Sequence, residues 1–122
     1  MSRLFALRGA NEVAANDADA IRDATVELMQ EILDRNALQP SDCVSCLFTL
    51  TPDLNAAFPA AYARTMGFED VPLICAQEVP VPGALPSIVR VLVHYHGPDD
   101  AKPRHVYLGA AQALRADLQS AQ

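Results

Sequence analysis

The sequence predicts one α/β (α+β) domain in which a β-sheet is covered by helices. Three observations predict it. One long stretch repeats its apolar residues with helical period, several short runs are apolar and rich in valine, and the two kinds follow one another as β-α-β-α-β-β-β. A length of 122 residues suits a single domain spanning 1–122. At this size roughly two-thirds of the unfolded surface is buried on folding, enough for an independent core. No internal repeat, linker or low-complexity tract divides the chain.

The first element is a strand from Leu4 to Arg8, ended by Gly9. Asn16 or Asp17 caps a helix that runs to about Arg35. Its apolar stripe is Ile21, Ala24, Leu28 and Ile32, with Met29 and Leu33 on the shoulder and charged residues elsewhere. Gln39-Pro40-Ser41-Asp42 is a turn, and the near-continuous apolar run Val44 to Leu50 predicts a buried strand. A short helix starts near Pro59, which suits a first helical position, and stops at Gly67, where a helix-ending glycine belongs. Leu73 to Gln77 is a third strand. Val79 to Pro86 holds three prolines and a glycine and reads as a loop. Ile88 to His96, dense in valine, is the clearest strand, and Gly97 to Pro103 is a polar loop. His105 to Leu108 is a last short strand, with a short helix from Ala110 to Leu114. Only one long helix is available to cover the sheet. The other face is therefore expected to meet a partner subunit in a homo-oligomer.

Composition narrows the function. A net charge of -6 without a lysine-arginine run argues against nucleic acid and anionic membrane partners. No apolar run approaches the roughly 20 residues that span a bilayer. Arg8 comes too early for a signal-peptide apolar region, so a cytoplasmic protein is expected. Eight of the nine basic residues are arginine, Lys102 being the exception. Genome composition accounts for this, or some arginines hold carboxylates with planar two-pronged hydrogen bonds.

The candidate chemistry is spare. Cys43 and Cys46 form a CxxC to which His94 and His96, on one strand face, are the available second pair. Residues three apart on a regular strand point to opposite faces, so the cysteines read as small buried thiols rather than zinc ligands. A redox CxxC opens a helix, and this one enters a strand. His105, alone at a strand start, reads as structural or solvated. Nucleophile contexts and nucleotide-binding glycine loops are missing, which removes support for hydrolase, kinase and dehydrogenase readings. Glu78 follows the third strand, either exposed or as a pocket acid. Arg90 lies inside the apolar run Ile88-Val89-Arg90-Val91-Leu92-Val93 and needs a partner there. Either it pairs internally, with Glu78 as one candidate, or it points into a cavity that receives an anion. Arg8 stands between the same two readings.

The segment Thr51-Pro52-Asp53-Leu54 with Phe58-Pro59-Ala60 resembles the TPDLxxxFPA signature of the AroH class of monofunctional chorismate mutases. Arg8-Gly9-Ala10, Arg64, Cys75-Ala76-Gln77-Glu78, Pro82-Gly83, Arg90-Val91, Arg104-His105-Val106-Tyr107-Leu108 and Leu114-Arg115 follow that family's order and spacing. The resemblance implies a mixed sheet with helices on one side, assembled as a trimeric pseudo-barrel with clefts between subunits. It implies rearrangement of chorismate to prephenate, toward phenylalanine and tyrosine, with no metal, cofactor, nucleophile or proton transfer. By the same resemblance, Arg90 bonds the ether oxygen and a carboxylate, Arg8 binds the side-chain carboxylate, and Tyr107 sits at a carboxylate. Glu78 and Cys75 hold the ring hydroxyl, Glu78 also lying near the developing positive charge. They are three apart, so they face one ligand only if the strand breaks near Gln77. Phe58 and Ala60 line the site from the adjacent subunit, and Leu73 and Ile74 are further substrate-binding positions. Arg64 and Arg115 draw in the dianion, and Leu114 belongs to a C-terminal lid. Ala61 stands where a relative has lysine, which removes one charge from the pocket mouth and predicts weaker capture. Two other functions compete: an imine deaminase like RidA, whose signature differs, and a non-catalytic trimer that binds a dicarboxylate.

Overall fold

The structure is a computed structural model that describes residues 2–114. Its elements are β1 (Ser2–Glu12), α1 (Ala18–Arg35), a 3₁₀ turn (Pro40–Asp42), β2 (Cys43–Leu50), α2 (Pro59–Ala63), a wider helical turn (Arg64–Phe68), β3 (Leu73–Gln77), β4 (Ile88–Pro98), β5 (Val106–Tyr107) and a 3₁₀ turn (Gly109–Gln112). The order is the predicted one, and the result is an α+β domain. Five strands form one mixed sheet in the order β3-β2-β4-β1-β5. β4 lies at its centre, antiparallel to both β1 and β2, while β3 and β5 add on in parallel. No helix among the described residues is long and apolar enough to cross a membrane.

Strand parity decides which residues make the core. The pairs Leu7–Val93, Gly9–Val91 and Asn11–Val89 put the odd residues of β1 and β4 on one face. Cys46–Val93, Phe48–Val91 and Leu50–Val89 extend that face to β2. α1 covers it with Ile21, Ala24, Leu28, Met29, Ile32 and Leu33, the predicted stripe, all buried. Asp17 starts the helix by accepting the Ala20 N–H at 2.7 Å, a cap worth about 1 kcal/mol.

Gly9 does not end β1. It sits in mid-strand where α1 crosses, and a Cβ there would lie 2.8 Å from Ile32 Cδ1 and 3.1 Å from Leu28 Cδ1. The glycine serves close packing rather than a turn. β2 is also not buried on both faces: Cys46, Phe48 and Leu50 are buried, while Val44 and Leu47 remain exposed. A bulge between Cys43 and Ser45 shifts the parity of β2, so Cys43 pairs with Tyr95 and Cys46 with Val93. Both cysteines therefore share the helix-covered face, against the expectation of opposite faces. Burial pushes the Cys43 thiol up to about 11 and Cys46 up to about 12. His94 and His96 lie on the other face, with the even residues of β4. The short C-terminal helix expected from Ala110 to Leu114 begins as a 3₁₀ turn, Gly109–Gln112, and continues as helix at Ala113 and Leu114.

The Thr51-Pro52-Asp53-Leu54 segment ties the sheet together. Ile88 N–H donates to Thr51 Oγ1 at 3.0 Å, and Thr51 N–H donates to Ile88 O at 3.1 Å. Asp53 accepts the Ser87 N–H and hydroxyl, both at 3.0 Å. Ser87 has φ 60°, a left-handed conformation that a residue with a side chain holds only when braced. The segment thus anchors the first residues of β4.

Candidate active site

The uncovered face of the sheet carries the even residues of β1 and β4. Arg8 pairs with Leu92, and Ala10 with Arg90, so the two arginines are diagonal neighbours on adjacent strands. β2 adds Leu47 opposite Leu92 and Thr49 opposite Arg90. β5 adds Tyr107, aligned with Ala10. The turn after β5 begins at Gly109, with φ 55°, and brings Leu114 over the same surface. These side chains line a cavity of about 220 Å³ in which Arg8, Arg90, Thr49 and Tyr107 are the polar members.

Glu78 reaches two residues of the cavity wall, Arg90 and Thr49, from just past the end of β3. Its N–H donates to Leu50 O at 2.9 Å, one residue beyond the strand. Its Oε2 lies 3.0 Å from Arg90 Nε and accepts the Thr49 hydroxyl at 2.9 Å. The Arg90 contact is an ion pair by distance, yet the buried Nε–H has no aligned hydrogen-bond acceptor. The attraction is therefore Coulombic rather than directional. Arg90 meets both readings drawn from the sequence: it pairs with Glu78 and lines a cavity. The main-chain N–H of Arg8 donates to His105 Nδ1 at 2.9 Å, which leaves the neutral ring's proton on Nε2 and gives His105 a structural part.

Two guanidiniums and a phenol between leucine walls, with one carboxylate held against Arg90, suit an anionic ligand with an apolar body. Residues 4–118 match the family described as chorismate mutase type I. The chain is similar to a chorismate mutase AroH of Thermus thermophilus, 46% identical over 119 residues, which are 95% of this chain and 97% of that one. It is also similar to a chorismate mutase AroH of Bacillus subtilis, 39% identical over 115 residues, 92% of this chain and 90% of that one. A solved chorismate mutase from Clostridium thermocellum superposes with a TM-score of 0.85 at 42% identity, over 89% of this chain and 98% of that one. The chain belongs to the type I chorismate mutases. As a chorismate mutase it is an intramolecular isomerase of aromatic amino acid biosynthesis.

The mutase fold brings Arg8, Arg90, Tyr107 and Leu114 to one cavity, with Glu78 held against Arg90. Other positions named from the sequence lie apart from it. β3 ends at Gln77, as required, but Cys75 pairs with Phe48 and packs on the helix-covered face, while Glu78 reaches Arg90 on the other. Leu73 shares the Cys75 side, and Ile74 is 63% exposed on the open side. Phe58 is 74% exposed and borders a second groove of about 380 Å³ with Leu54, Cys75 and Gln77. Ala60 is buried in α2, and Arg64 is exposed at the next turn. Arg115 lies outside the described residues. Thr49, Leu47 and Leu92 line the cavity without having been singled out from the sequence. The available signal for Thr49 was a hydroxyl inside an otherwise apolar strand.

Proposed function

We propose that this chorismate mutase works by holding its dianionic substrate in a compact reactive shape between Arg8 and Arg90. One carbon–oxygen bond breaks as one carbon–carbon bond forms within the same molecule, so no proton, metal or cofactor is required. Positioning lowers the entropic part of the barrier. Arg90 donates to the ether oxygen, where negative charge gathers, and Glu78 faces the ring, where positive character develops. Arg8 and Tyr107 hold carboxylates, and Leu114 closes over the mouth. The observation that carries this reading is the meeting of Arg8, Arg90, Tyr107 and Glu78 on one uncovered face.

The assembly is a homotrimer with its sites between subunits. Leu4, Leu47 and Ile74 stay exposed on the face that carries the cavity, an apolar surface suited to a neighbour. The cavity is smaller than the roughly 300–1,000 Å³ usual for small-molecule sites, so one chain supplies part of the walls. Phe58, Ala60, Arg64, Leu73, Ile74 and Cys75 then belong to the rim that one subunit offers another. Free cysteines accord with a cytoplasmic setting.

The test is loss of chorismate absorbance with chelator present, beside sedimentation equilibrium. Chelator-resistant turnover by a trimer is expected. Arg90→Ala refolded together with Phe58→Asp is expected to regain activity that neither has alone, because a mixed trimer contains sites with both residues intact. Full turnover by a monomer would overturn the intersubunit site.

A further inference from the structure

We propose that Thr49 is a positioning residue of the mutase reaction, acting through Glu78. The inference rests on the reading of Glu78 as facing the substrate. Glu78 stands at the start of the proline-rich loop, one residue past the last strand pairing, so its backbone alone does not fix its side chain. Among the described residues, Arg90 and Thr49 approach the carboxylate, and both meet the same oxygen. Arg90 Nε lies 3.0 Å from Oε2 but is not aligned with it. Thr49 Oγ1 donates to Oε2 at 2.9 Å and is the directed hydrogen bond on this side chain among the described residues. The ion pair sets the distance, whereas the hydroxyl sets the direction. Both contacts fall on Oε2, and neither involves Oε1.

Thr49 is built for this work. It lies on an interior strand, in register with Arg90 on one side and Ala76 on the other. Its β-branched side chain is stiff at χ1, so the donor is held in place before substrate arrives. It also lines the cavity beside Arg90, so displacing it would let the carboxylate swing.

Steady-state kinetics with chorismate test the proposal for Thr49→Val and Thr49→Ser, in wild-type and Glu78→Ala backgrounds. Thr49→Val, nearly equal in shape, is expected to lower kcat about ten-fold, the low end of what a hydrogen bond to a charged group contributes, with KM much less affected. Thr49→Ser keeps the hydroxyl and is expected to restore most of the turnover. In the Glu78→Ala background Thr49→Val is expected to cause no further loss. If Thr49→Val does not fold, Thr49→Ala with the same serine rescue replaces it. Wild-type kcat in the valine variant, equal loss in valine and serine variants, or the same loss without Glu78 would each overturn the proposal. Wild-type turnover in Glu78→Ala alone would instead overturn the role of Glu78 itself.

Discussion

The two faces of β4 carry different residues and meet different surroundings. Val89, Val91, Val93 and Tyr95 point to α1 and are buried among Leu28, Ile32 and Phe48. Arg90, Leu92 and His94, the residues between them, point the other way and remain partly open. One face carries the main core of the domain, while the other adds a smaller buried cluster of Ala10, Ile88 and Ala111. That other face carries the charged groups and is left without a long helix. A strand with period two thus separates two tasks residue by residue. Burying an arginine between valines is tolerable because its side chain emerges on the uncovered face, beside Glu78.

This separation predicts that the two faces fail differently. Arg90→Ala should lower kcat/KM by at least about 10²–10³, the cost of losing one charge-stabilising donor. Its melting temperature should stay close to wild type, since no core contact is removed. Calorimetry and chorismate turnover on one preparation check both halves. A variant that loses activity only by unfolding would break the comparison. On the covered face, Leu28→Ala should destabilise the domain by about 2–5 kcal/mol through transfer and cavity terms. Below its lowered melting temperature it should keep near-normal turnover. A large fall in kcat for the folded variant would show that the two faces are coupled through Gly9, the strand residue beneath Leu28 and beside Arg8.

The sequence was legible where a pattern has one physical meaning. α1 was readable because burial of a helix face demands the 3.6-residue period, and all six predicted apolar positions are buried. The proline loop and the valine-rich strand were readable for similar reasons. Gly9 was misread because a glycine marks either a turn or a close approach, and only the packing of Ile32 and Leu28 decides between them. The faces of Cys43 and Cys46 were misassigned because a bulge changes parity without a local sequence signal. Among site residues, Arg90 was readable as a charge in an apolar run. Thr49 was not, because its importance lies in a contact with Glu78, 29 positions away. Phe58 is legible through resemblance, and within one subunit it stays outside the cavity.

Asp53 gives the smallest effect and the sharpest question, because it belongs to neither face. It is the acidic residue of the segment most diagnostic for the family, yet it contacts Ser87 at the start of β4 rather than the cavity. Partial burial pushes its carboxyl up, but hydrogen bonds from Thr51, from the Ser87 N–H and hydroxyl, and from its own N–H outweigh this and hold it below the usual range. A carboxyl with a depressed folded pKa adds stability above its unfolded value, and that stability is lost as pH falls through the folded one. The window therefore opens near the ordinary value of 3.8 and extends downward. Asp53→Asn should lower the neutral-pH melting temperature by about 2–4 °C. Its acid unfolding profile should be flatter than wild type below that window's upper edge. Turnover should fall far less than in Arg90→Ala, since Asp53 acts through Ser87, three residues before Arg90, and neither lines the cavity. A collapse of kcat with unchanged melting would give Asp53 a place in the chemistry. The expected outcome makes the family's most recognisable segment a brace for the strand that carries Arg90.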